Sequence, residues 1–107
     1  MNDTARLEAR LLTAAELELV ASTRAPEIER RSADELKAAA RRLREPLNRA
    51  KAIAARQMRE IRGKAAAPRR ARPAKDNLGT IGKAQALRAA LDRVEAEQRR
   101  QAAAALR

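Results

Sequence analysis

The chain contains no aromatic residue. A globular core is usually built around Phe, Tyr or Trp, each of which buries a large area. Here that role falls to Leu, Ile and Val, which occupy only 18 of the 107 positions, whereas alanine occupies 28. Alanine buries little surface but has the best intrinsic helix propensity. The expected product is a set of long, thin helices with narrow apolar seams. Each buried leucine contributes about 1.5–3 kcal/mol, and ordering each residue costs about 1–2 kcal/mol. So few large side chains predict a marginal isolated chain, supported by a partner, by self-association or by both.

The same absences narrow the chemistry. Without histidine or cysteine the chain lacks the usual proton shuttle, a thiol nucleophile and the imidazole and thiolate ligands of zinc sites. Without aromatic rings it has no platform on which single-stranded bases stack. Most carboxylates lie at helical spacing from Arg or Lys, as Glu45 does from Arg41, Arg42 and Arg49, which is the pattern of a solvated helix face. No catalytic residue, metal ligand or cofactor is assigned, and the chain reads as a binding protein rather than an enzyme. Asp76-Asn77 before Gly79 lacks the spacing of a Ca²⁺ loop or a P-loop and reads as a turn that caps the last helix. No apolar run approaches the about 20 residues of a membrane span. With no signal-peptide pattern and no cysteine, the expected location is cytoplasmic.

Charge is abundant and uneven. Twenty-five Lys and Arg face 14 Asp and Glu, for a formal net charge of +11. Residues 1–31 carry a net charge of −1, 32–62 of +5, 63–79 of +4 and 80–107 of +3. Arginine outnumbers lysine by 20 to 5; its fork suits phosphate and carboxylate, although a GC-rich genome favours the same composition.

Four segments follow from periodicity and punctuation. In residues 1–31, Leu7, Leu11, Leu12, Leu19 and Val20 give a short amphipathic helix followed by a break at Pro26. Thr13-Ala14-Ala15-Glu16 fits a capping box, which would restart the helix at Ala14. Residues 32–62 form the clearest helix. It opens on the capping box Ser32-Ala33-Asp34-Glu35 and closes before Gly63, a candidate for positive φ. Its residues Leu36, Ala40, Leu43, Leu47, Ala50, Ala54, Gln57 and Ile61 recur at alternating intervals of four and three, a heptad seam. Pro46 falls within this pattern and is expected to kink the helix on its solvent side. Residues 63–79 form a Pro/Arg-rich basic linker, extended when free. Residues 80–107 form the last helix, capped by Thr80, with Leu87, Leu91, Val94, Gln98 and Gln101 as its seam. The fold class is all-α: an elongated antiparallel helical hairpin with the N-terminal helix across one end, or a small coiled-coil-like bundle, with a flexible basic linker.

Two binding readings result. Arg56, Arg59 and Arg62 lie at successive intervals of three and lead into Lys64, Arg69, Arg70, Arg72 and Lys75. Together they make a strip that can follow nucleic-acid phosphates without reading bases. Arg41, Arg42, Arg44, Arg49 and Lys51 point several ways around their helix and suggest diffuse electrostatics. The alternative is a protein–protein module of the adaptor, antitoxin or assembly-factor kind. In that reading Leu7, Leu11, Leu12, Leu19 and Val20 dock in a partner's groove, and the basic remainder meets an acidic protein surface. A homo-oligomer is compatible with either; a membrane or a small-molecule substrate is not expected.

Overall fold

The fold was established from a computed structural model, which describes residues 3–63 and 71–107, with side chains from Asp76 onward in the second stretch. All regular structure among these residues is helical: α1 (Asp3–Leu11), α2 (Ala14–Ala21), a 3₁₀ turn (Glu27–Arg30), α3 (Ala33–Gly63) and α4 (Ala71–Ala105). The molecule is elongated, 61 × 29 × 19 Å.

Local chemistry fixes where the helices begin. Thr13 caps α2 through a reciprocal pair: the Glu16 backbone N–H donates to Thr13 Oγ1 at 3.2 Å and the Thr13 N–H to Glu16 Oε1 at 2.9 Å. Ser32 and Glu35 repeat this at the start of α3, with distances of 3.1 and 2.9 Å. Each box satisfies two backbone donors that a bare helix start would leave orphaned. The Thr13 box therefore splits the N-terminal segment into two helices.

The two long helices form an antiparallel hairpin along the expected seams. Leu36, Ala40, Leu43 and Leu47 of α3 are buried in one cluster with Leu87, Ala90, Leu91 and Val94 of α4, and Ala50 is buried as well. Further along α3, Ala54, Gln57 and Ile61 are only half-buried. Val20, Leu12 and Ile28 complete the core from the N-terminal segment. These elements lie on one flank of the hairpin. Gly82 permits the contact with α1, because a Cβ there would stand 2.9 Å from Leu11 Cδ1.

Several expectations are corrected. Residues 71–79 are not linker but the first turns of α4. Pro73 is tolerated there because a first-turn N–H has no intrahelical acceptor to lose. Asn77 does not cap a turn; it is a buried residue within α4. Thr80 is not an N-cap, for its hydroxyl donates back to the Asp76 carbonyl at 2.9 Å. Gly63 ends α3 without positive φ. Pro46 is buried, and α3 runs through it uninterrupted. It borders a cavity with Glu16 and Leu19 of α2, so the proline side of α3 faces the N-terminal layer rather than solvent. Residues 64–70 of the expected linker lie outside the described residues.

Candidate nucleic-acid interface

The seam of α3 determines where its cations go. A step of one residue rotates a helical side chain by about 100°. The residues that follow the buried Leu36, Ala40, Leu43, Leu47 and Ala50 are Lys37, Arg41, Arg44, Asn48 and Lys51, and all five are exposed. Those that precede Leu43, Leu47 and Ala50 are Arg42, Pro46 and Arg49, which line the cleft between α2 and α3. The basic residues of α3 are thus sorted into two flanks. One is covered in part by α2, and the other is open.

Several cations of the N-terminal layer and α4 are engaged with partners. Glu8 is buried in α1 and accepts two hydrogen bonds from Arg24, at 3.1 and 2.8 Å. Arg93 reaches the same cluster, its Nε donating to Thr23 Oγ1 at 3.0 Å, while its Nη2 is buried without a hydrogen-bond partner among the described residues. Burial, and then the neighbouring Arg24, lower the Arg93 pKa. Lys83 of α4 pairs with Glu16 of α2 at 2.9 Å. Burial pushes the Glu16 carboxyl up, but the Thr13 backbone N–H and Lys83 outweigh it and hold the group below its ordinary value. Gln101 donates to the Arg31 carbonyl at 2.9 Å and to Glu97, which also binds Arg100. The Arg100 hydrogen bond holds Glu97 below the usual carboxylate value. The Arg93–Thr23, Lys83–Glu16 and Gln101–Arg31 contacts fasten the N-terminal layer to the hairpin.

The long helix α3 carries further exposed cations. Lys37, Arg41, Lys51, Arg59 and Arg62 are exposed and have no ion-pair partner among the described residues. Arg44 pairs with Glu95 of α4 at 3.6 Å, and Arg56 lies 3.9 Å from Glu60, both side chains being well exposed, a pair that contributes little.

The sequence-derived strip is therefore placed in part. Arg56, Arg59 and Arg62 lie together on the last turns of α3, at the hairpin tip. Ile53 of α3 and Thr80 of α4 border a cavity with Glu16 of α2. Beyond that level Asn77 joins the two helices, its Nδ2 donating to the Ala54 carbonyl at 3.0 Å and to Gln57 Oε1 at 3.4 Å. Arg72 and Lys75 belong to the first turns of α4; Lys64, Arg69 and Arg70 lie outside the described residues.

The apolar N-terminal set has another use. Leu12 and Val20 are buried in the chain's own core, and Leu19 packs against it. Leu11 is half-buried with its Cδ1 over Gly82. Only Leu7, at 52% exposure, is largely open to solvent. Periodicity did not reveal the buried Glu8, whose signal was its position one turn before Leu12 on the same helix face.

Among the described residues no helix is long and apolar enough to cross a membrane, and no group of three or more carboxylates is arranged to hold a metal ion. No protein-family model matches the chain, and comparison with curated proteins and with solved structures gives no match.

Proposed function

We propose that the protein binds nucleic acid through the backbone phosphates, at the hairpin tip and the basic segment that continues from it, without reading bases. The observation that carries this reading is the pair Arg59 and Arg62 on the last turns of α3: exposed and without an ion-pair partner among the described residues. They stand directly before a stretch, residues 63–79, of net charge +4. An unpaired guanidinium loses no internal partner when it meets a phosphate, and its planar fork matches phosphate oxygens. A chain without aromatic rings has no stacking platform for single strands, so a duplex backbone is the better fit. The reading supplies binding rather than catalysis and places the protein in the cytoplasm, where nucleic acid is met.

The test is a salt series of binding isotherms with duplexes of unrelated sequence. Affinities should agree between sequences, and log Kd should change with log salt at about 0.9 per phosphate contact. Replacing Arg59 and Arg62 by Gln, and Arg69, Arg70 and Arg72 by Gln in a second variant, should weaken all sequences alike. The slope should fall by up to about two in the first variant and about three in the second. Wild-type affinity and slope in both variants would refute the proposal.

A further inference from the structure

The hairpin has two long flanks, and among the described residues one is covered. The N-terminal layer occupies the flank that carries Pro46, Gly82 and Lys83. On the opposite flank the seam between α3 and α4 opens into a shallow groove of about 550 Å³. Its floor is Leu47, Ala54, Ile81 and Ala84, and Ala89 forms part of its wall. Lys51 and Arg88 line it as well, and their aliphatic stems extend the apolar surface.

The charges around this groove are of one kind once internal pairs are removed. Asp92 is engaged by Arg88 at 2.6 Å, and Glu95 by Arg88 at 3.1 Å and Arg44 at 3.6 Å. Without an ion-pair partner among the described residues on the α3 side is Lys51, with Arg41 and Lys37 following at helical spacing along the same edge. The groove therefore offers an apolar floor beside an uncompensated positive edge.

We infer that this groove is a docking site for an amphipathic helix of an acidic protein, which seats large apolar side chains over Leu47, Ile81 and Ala84 and turns its carboxylates toward Lys51, Arg41 and Lys37. Charge complementarity selects that occupant. A second copy of the chain would bring the same cationic edge and a further net charge of +11. A nucleic acid would satisfy the edge but has no aliphatic side chain to cover the floor. Helix-in-groove binding uses anchors at i, i+3 or i+4 and i+7, matching a floor that runs along two parallel helices. The inference does not rest on nucleic-acid binding at the tip, which uses other residues.

The test uses a labelled synthetic helix with Leu at heptad seam positions and Glu elsewhere, titrated with the full chain at physiological salt. Two control peptides carry Lys in place of Glu, or Ala in place of Leu. The Leu/Glu peptide should bind saturably and the Leu/Lys peptide should not. The Ala/Glu peptide should be weaker by about tenfold or more, since about 1.4 kcal/mol is a factor of ten. Ala89→Glu is made at an exposed helical position, where folding is retained, and should reduce binding about tenfold, as should Lys51→Glu. Arg59→Gln with Arg62→Gln should leave peptide binding unchanged. The inference is overturned if Leu and Ala peptides bind equally, if Ala89→Glu has no effect, or if sedimentation shows a dimer that Ala89→Glu dissolves. It is equally overturned if duplex DNA displaces the peptide and is itself weakened by Ala89→Glu. Loss of the tip's salt-dependent DNA binding in Arg59→Gln/Arg62→Gln is read separately and leaves it standing.

Discussion

The two ends of the α3–α4 hairpin follow one heptad rule with different materials. Toward the N-terminus of α3, the seam holds Leu36, Leu43 and Leu47 against Leu87, Leu91 and Val94, all buried. The N-terminal segment adds Leu12, Val20 and Ile28 to that cluster. Toward the tip the seam becomes Ala54, Gln57 and Ile61, half-buried, and the cross-helix tie is polar, from Asn77 to the Ala54 carbonyl. The first end concentrates apolar burial, which dominates stability. The second carries exposed arginines on a lean scaffold. A protein with so few large side chains gathers them at one end and presents charge at the other.

The largest expected effect breaks the strong end. Leu43 is fully buried, so Leu43→Ala should cost about 2–5 kcal/mol. Ile61→Ala, at the half-buried tip, should cost well under half as much. Denaturant midpoints of the two variants, with unchanged m-values, check the contrast directly. Equal costs would mean that the two ends are equally packed.

A smaller effect sharpens the description of the tip. Asn77→Ala removes the hydrogen bond to Ala54 and should cost about 1 kcal/mol, within the usual range of 0.5–1.5. Its signature is local. Amide hydrogen exchange should accelerate over residues 54–61 of α3 and stay slow around Leu43. A uniform acceleration along α3 would show that the hairpin opens as one unit.

The smallest effect is a stabilisation. Gly79 lies inside α4, and a Cβ there meets nothing within 4 Å, so Gly79→Ala should raise stability by about 0.5–1 kcal/mol. Gly82→Ala offers the same helical gain but places the new Cβ 2.9 Å from Leu11 Cδ1. Leu11 must swing aside, so the net gain should be smaller. Thermal melts of the two variants measure that difference as the cost of disturbing the α1–α4 contact.

The hairpin was legible because its signals are local. The seam from Leu36 to Ala50, its counterpart through Leu87, Leu91 and Val94, and both capping boxes depend on residues three or four apart. The error at residues 71–79 has the opposite origin. Pro73 and Gly79 are poor helix formers in isolation, yet α4 begins at Ala71. Asn77 within this stretch is buried and hydrogen-bonded to α3, 23 residues away, so tertiary contact outweighs local propensity there. Of the candidate strip, the chain placed Arg56, Arg59 and Arg62 on one helix by spacing alone, but spacing could not show which cations would lack partners.

By itself, then, the sequence determined an all-α chain, two long helices with matching seams, the starting points of α2 and α3, and a surplus of positive charge on α3. Tertiary structure decided which flank of the hairpin the N-terminal helices cover. It did so through contacts between distant residues: Lys83 with Glu16, Arg93 with Thr23, and Leu11 on Gly82. Helix periodicity fixes a side chain's angle about its own axis, but only packing fixes what lies opposite it. For that reason Arg42 and Arg49 border α2 across a cleft, while Lys51 of the same helix borders the groove on the other flank.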